Sequence, residues 1–192
     1  MQLENSKKRL LEAIVLPKGG ETDRIEVEAA TMDDKDFEVL HLNNQICFPI
    51  YAASRLVMQA YRPLLASLGL TYPQYLVMMV LWETDARTVR ELGERLYLDS
   101  GTLTPLLKRL DKQGLLTRNR RKEDDRTVEN HLTQAGRDLQ KLAVDIPDEL
   151  VCSAELDRDE LGQLQSKLND LLDKLLHYHS IKESTTHETK AE

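Results

Sequence analysis

Apolar residues recur along this chain at two different periods, and the switch between them divides the sequence. From Ile46 they fall at Ile46, Ile50, Ala53, Val57, Ala60 and Leu64, spaced 4, 3, 4, 3, 4, which predicts a helix with a seam of heptad type. Pro49 must then lie in the first turn or kink the helix, because a proline deeper in a helix removes a hydrogen bond. Thr71-Tyr72-Pro73-Gln74 has the form of a capping box with proline near the first turn, and predicts a buried helix through the run Leu76 to Trp82. Thr88-Val89-Arg90-Glu91 repeats that chemistry and opens a helix that buries Leu92 and Leu96 and ends near Tyr97. Asp99 caps the next helix, through Gln113, with Gly114 as the left-handed residue beyond it. Pro105 sits inside that helix, which tightens or shifts its start.

After Gly114 the period becomes two. Leu116 to Arg120 and Thr127 to Leu132 predict two short strands, with the charged stretch Arg121 to Arg126 as the tip of a hairpin. Thr133 opens a helix carrying Leu139, Leu142 and Ala143, interrupted near Pro147. Asp157 to Glu160 cap a last helix with Leu161, Leu164, Leu168, Leu171, Leu172, Leu175 and Leu176 on one face, whose partner surface is another helix or another subunit. Residues 1–36 are polar and aperiodic and read as an N-terminal extension, within which Lys7 to Leu16 can form a short helix. Residues 37–180 form the folded domain, the chain turns polar and frayed from His177 onward, and 181–192 make a flexible tail. The expected fold class is mainly α with a small β-hairpin wing: a winged helix-turn-helix with a helical dimerisation region.

Charge changes this picture. The 192-residue chain carries a formal net charge of -7, which by itself disfavours a polyanionic partner. Its distribution points the other way. Lys108, Arg109, Lys112, Arg118, Arg120, Arg121 and Lys122 cluster within 108–122 against the single acid Asp111, while the acidic excess lies in residues 1–40 and 138–192. By charge alone this basic island is either a nucleic-acid-binding face or a solvated helix end. The order of elements favours the first, because two short helices joined by a tight turn and followed by a basic hairpin are the parts of a reading head for double-stranded DNA. The second helix presents Ser100, Thr102, Thr104, Lys108 and Arg109, suited to base edges and phosphates of a major groove. The hairpin offers Arg120, Arg121, Lys122 and Arg126 to phosphate or a minor groove.

Two cysteines, Cys47 and Cys152, are too few for a disulfide framework or a Cys-rich zinc site. With no 18-residue apolar run and no signal-type leader, a cytoplasmic protein without membrane association is expected. His41, His131, His177, His179 and His187 show no ligand spacing, and glycine-rich phosphate loops, nucleophile elbows and pocketed carboxylate pairs are absent from the sequence. The expectation is therefore no metal, no cofactor, no catalytic residue and no enzymatic activity. Cys47 lies near a helix start, where unpaired N–H groups favour a thiolate, with Tyr51 one turn on. Taken by itself, an isolated cysteine in a helix seam is usually a small buried apolar residue.

The stretch Leu98 to Leu110, then Asp111 to Leu115, and the wing Asp124-Asp125-Arg126 leading to Leu132-Thr133-Gln134-Ala135-Gly136 resemble the multiple antibiotic resistance regulator (MarR) family, whose Asp-x-Arg wing signature falls on Asp124 and Arg126. Within it the chain is similar to the organic hydroperoxide resistance regulators (OhrR), through Asn44-Gln45-Ile46-Cys47-Phe48, Ala60-Tyr61-Arg62-Pro63-Leu64-Leu65 and Leu70-Thr71-Tyr72-Pro73-Gln74-Tyr75-Leu76. The resemblance covers about Leu40 to Leu176. It implies an obligate homodimer, built from the first helix and the last two, that binds a pseudopalindromic operator and represses a peroxide-detoxifying gene. It further implies that an organic hydroperoxide oxidises Cys47, whose sulfur is held by the hydroxyls of Tyr61 and Tyr72, and that Cys152 is the resolving cysteine of the two-cysteine subclass. Two features depart from the family: the longer extension over 1–36, and Pro49 close after the sensor. Two other readings stand beside this one. The same fold can be a repressor released by a non-covalent small-molecule ligand, with both cysteines incidental. A thiol peroxidase using Cys47 is the third, and leaves the basic island unexplained.

Overall fold

A computed structural model describes residues 34–121 and 124–188; the side chains of 34–36, 121, 124–126 and 181–188 lie outside the description, as do the anticipated Lys7 to Leu16 helix and Lys122. The described chain divides between Ala52 and Ala53 into two units. In the first, 3-10 segments at Asp34–Leu40 and Leu42–Asn44 precede helix α1, Cys47–Ala66, which starts here and continues into the second unit. Asn44 Nδ2 donates to the Glu38 carbonyl at 2.7 Å and the Gln45 amide to the Val39 carbonyl, which ties the two segments together. Pro49 is the third residue of α1, so its missing N–H belongs to the set that no helix satisfies internally, and no kink is required. Pro63, which the apolar spacing did not flag, lies inside α1 and leaves the Gln59 carbonyl without its usual donor.

The second unit continues with α2 (Tyr72–Glu83), β1 (Arg87–Thr88), α3 (Val89–Leu96), α4 (Ser100–Lys112), β2 (Leu116–Arg121), β3 (Asp124–Leu132), α5 (Gln134–Ala143), α6 (Ile146–Ser153) and α7 (Arg158–Glu188). Both expected capping boxes form: the Thr71 N–H donates to Gln74 Oε1 at 2.9 Å and the Thr88 N–H to Glu91 Oε2 at 2.7 Å. Behind them Leu65, Val77, Met78 and Leu81 pack with Leu92, Leu103, Leu107, Leu110 and Leu116 as one fully buried cluster. Between α3 and α4, Tyr97 adopts φ 55° and the Leu98 N–H returns to the Gly93 carbonyl at 3.1 Å. A Cβ on Gly93 would meet the Leu98 carbonyl oxygen at 2.7 Å, so this tight turn requires glycine there. Gly114, at φ 72°, ends α4 as anticipated. The architecture is the expected helical fold with a small antiparallel sheet.

Four details differ from the sequence reading. The hairpin is longer: β2 and β3 reach Arg121 and Asp124, with a register irregularity between Arg120 and Arg121, so the turn is far shorter than Arg121 to Arg126. A third strand, β1, pairs with β3 and completes a sheet of order β1-β3-β2. The break after α5 falls at Val144 and Asp145, and Pro147 stands in the first turn of α6, where proline is tolerated. The last helix continues past His177, to Glu188.

Asp85 anchors the base of this sheet. Its Oδ1 accepts the N–H groups of Leu132 and Ala86, both at 2.8 Å, and Oδ2 accepts Arg137 Nη1 at 2.6 Å. Burial alone would push the Asp85 carboxyl up, but the Leu132 N–H, the Arg137 guanidinium and the Ala86 N–H together outweigh it and hold the group below the usual aspartate range. A depressed folded-state pKa stabilises the protein above the unfolded value, about 3.9, and that stabilisation is lost as pH falls through the folded one. Denaturant midpoints followed downward from pH 5 should therefore fall less steeply in Asp85→Asn than in the parent. Parallel acid limbs would remove Asp85 from this role.

Candidate DNA-reading face and thiol sites

The reading head is built on the buried side of α4. Leu103, Leu107 and Leu110 point into the core, which turns Ser100, Thr102, Lys108 and Arg109 outward, with Thr104 half-buried. Asp99 accepts the Thr102 N–H at 2.9 Å and the Thr102 hydroxyl at 2.7 Å, and these bonds draw its carboxyl below the usual range. The Thr104 hydroxyl donates to the Ser100 carbonyl at 2.7 Å. Two of the three hydroxyls expected to read bases, those of Thr102 and Thr104, thus donate to the start of the helix. Arg120 is exposed on β2, opposite Val128; Arg121, Asp124 and Arg126 are placed on the paired strands by their backbones. A cleft of about 1110 Å³ separates the α3–α4 turn from the wing, with Thr88, Arg90, Tyr97, Ser100, Arg118 and Val128 in its walls.

Cys47 is the first residue of α1 and is exposed, not buried in a seam. Tyr51 follows one turn later and is also exposed. Tyr61 and Tyr72 pack their rings with centroids 4.9 Å apart and a tilt of 41°, and Tyr75 approaches Tyr61 at 6.0 Å. Burial raises the Tyr61 hydroxyl above its ordinary pKa, with Tyr72 and Tyr75 adding to the effect, and burial raises Tyr72 as well. Both hydroxyls therefore stay protonated, as donors, across the neutral range.

Cys152 is the penultimate residue of α6 and is exposed. Glu155, at φ 51°, and the Leu156 N–H bond to the Val151 carbonyl at 3.0 Å reverse the chain after it. Arg158 returns to bond Asp148 at 2.9 Å, and its pKa is raised by that hydrogen bond and charge, with a smaller contribution from Cys152. Cys152, four residues after Asp148, shares the face of α6 that carries that ion pair.

A profile described as "Transcriptional regulator SarA/Rot" matches residues 59–142. MarR of E. coli is similar in structure, with TM-score 0.54 and 26% identity over 67% of this chain and 97% of its own. The organic hydroperoxide resistance transcriptional regulator of Bacillus subtilis is 49% identical over 144 residues, 75% of this chain and 97% of that one. The chain belongs to the MarR family, in its organic hydroperoxide resistance branch. AbfR of Staphylococcus epidermidis shares the fold in two states. Its reduced, DNA-bound form matches at TM-score 0.61 and 36% identity, over 74% of this chain and 99% of that one. Its disulfide form matches at 0.50 and 35%, over 73% and 99%.

Within this MarR-type frame, α3 and α4 are the helix-turn-helix and β2–β3 the wing. Tyr75 is the aromatic that the sequence reading passed over. Its spacing of three from Tyr72 puts both on one side of α2, and that signal was available. Trp82 extends the row, with its ring 6.0 Å from that of Tyr75.

Proposed function

We propose that this chain is a cytoplasmic, dimeric DNA-binding repressor that leaves its operator when an organic hydroperoxide oxidises Cys47, and that it is not an enzyme. One observation carries the reading: a chain 49% identical to the B. subtilis organic hydroperoxide regulator joins a complete winged helix-turn-helix to an exposed cysteine at the first position of a long helix. In this reading Ser100, Thr102, Thr104, Lys108 and Arg109 meet the major groove, while Arg120, Arg121, Lys122, Asp124 and Arg126 form the wing contact. Dimerisation is supported by α7, where Leu164 and Leu168 are 52% and 42% exposed in the single chain and line an apolar stripe that a second copy would cover. A two-fold dimer presents two reading heads to successive major grooves of a pseudopalindrome.

The thiolate of Cys47 attacks the peroxide O–O bond, becomes a sulfenic acid and releases the alcohol. Cys152 of the partner subunit then attacks that sulfur, forming a disulfide and releasing water. The tyrosine pair supplies donors that stabilise the thiolate.

The test is a gel shift on a duplex selected from a random-sequence pool by the reduced protein. The complex should disappear with cumene hydroperoxide and return with dithiothreitol; persistence after oxidation would leave a non-covalent ligand as the better trigger. Arg126→Ala should weaken this complex with the dimer intact, and reduce the log-log salt slope by roughly one unit for each phosphate that is no longer neutralised. An unchanged affinity would remove the wing from the interface.

A further inference from the structure

We infer that Trp82 is a positioning residue of the switch, coupling the tyrosine pair to the base of the wing through its hydrogen bond to the Gly136 carbonyl. The inference rests on the redox reading above.

The geometry is continuous at each step. Tyr72, Tyr61, Tyr75 and Trp82 form a row of rings with centroids 4.9, 6.0 and 6.0 Å apart, the last pair edge to face. The rings are held by side-chain packing until the end of the row, where the indole N–H donates to the Gly136 carbonyl at 2.9 Å. Gly136 is wedged under the hairpin: a Cβ there would lie 2.1 Å from the Leu115 carbonyl oxygen. Leu115 in turn accepts the Thr133 N–H at 3.1 Å, and Thr133 also bonds the Gly114 carbonyl at the start of the hairpin, at 2.6 Å. A displacement of Trp82 therefore meets backbone at Gly136 and Leu115, where nothing gives cheaply.

An open groove of about 280 Å³ borders Tyr75, Met79 and Trp82 between α2 and the α5–α6 segment, while Tyr75 itself is buried, so the row of rings runs along the edge of the core. A row of packed rings bonded to backbone at its end is a contiguous path from the tyrosine pair to the base of the wing, and such packed paths are what carry coupling between sites.

Trp82 is the only tryptophan in the chain, so its emission reports on this position without labelling. Oxidising the native protein with cumene hydroperoxide should shift that emission together with operator release, and the Cys47→Ser protein should show neither change. Trp82→Phe keeps a ring but deletes the hydrogen bond. It should form sulfenic acid at the parent rate, yet the ratio of operator Kd between oxidised and reduced protein should shrink by about fivefold or more, the lower end of common coupling factors. A parent-like Kd ratio in Trp82→Phe, or native emission that stays constant while DNA is released, overturns the inference and leaves the redox reading standing. Peroxide release of the Cys47→Ser protein would sink the redox reading and this inference with it.

Discussion

Cys47→Ser is expected to hold its operator as the reduced parent does and to keep holding it when organic hydroperoxide is added. Serine is close to cysteine in size and suits a position at a helix start, so α1 should form unchanged. What it lacks is a thiolate, the species that opens the O–O bond. The parent should lose affinity on oxidation by about 5- to 150-fold, the range of common coupling free energies, and the serine protein by a factor indistinguishable from one. Cys152→Ser separates the second step from the first. It should still yield a dimedone adduct at Cys47 but no covalent dimer on a non-reducing gel, and with excess peroxide Cys47 should pass on to sulfinic acid. Closing the proposed Cys47–Cys152 bond needs two α carbons within roughly 7 Å, so a covalent dimer in the parent that is lost in Cys152→Ser also reports that the α1 start and the α6 end of opposite copies meet. A covalent dimer persisting in Cys152→Ser would mean that Cys47 pairs with its own copy across the dimer.

Gly136→Ala should be among the most damaging single substitutions in the chain. The added Cβ would sit 2.1 Å from the Leu115 carbonyl oxygen and 3.2 Å from a Leu132 methyl, and the first obstacle is backbone, which cannot swing aside. Overpacking of this kind typically costs up to about 3 kcal/mol, and for a chain of this length each kcal/mol lowers Tm by roughly 2–4 °C, so a loss near 10 °C is expected. The neighbouring Ala135 is exposed at the start of the same helix, and Ala135→Gly should cost no more than about 1 kcal/mol of helix propensity. Calorimetry on the two proteins measures the difference directly. Equal, small losses would show that α5 does not pack on the hairpin base as closely as 2.1 Å implies.

Gly136 also marks where sequence reasoning stops. It belongs to a stretch that resembles a family motif, but its chemical reason, a carbonyl pressed against its Cα, lies in an approach between residues 115 and 136 that no periodicity encodes. The two-residue β1 is invisible in the pattern for a related reason. A strand that short has no alternation, and it forms because Asn130 Nδ2 reaches the Arg87 carbonyl at 2.8 Å and Asp85 secures the end of β3. The charged stretch at Asp124 to Arg126 reads as a turn because it holds no apolar residue, yet strand pairing is made by backbone groups that ignore side-chain polarity. The polar residues after His177 carry no apolar stripe, but extending a helix already nucleated costs little per residue.

By itself the sequence determined the helices of the reading head, their caps and their order, because capping boxes, a left-handed glycine and apolar spacing act within a few residues of chain. It also singled out the candidates for the chemistry, since Cys47, Cys152 and the basic island are matters of composition and position. The tertiary structure alone decided that Tyr75 and Trp82 join Tyr61 and Tyr72 in one row, that Thr102 and Thr104 bind their own helix, and that Asp85 and Gly136 clamp the wing. Each of those depends on atoms brought together by packing, and close approach of distant residues is a property of the folded core that the local pattern does not record.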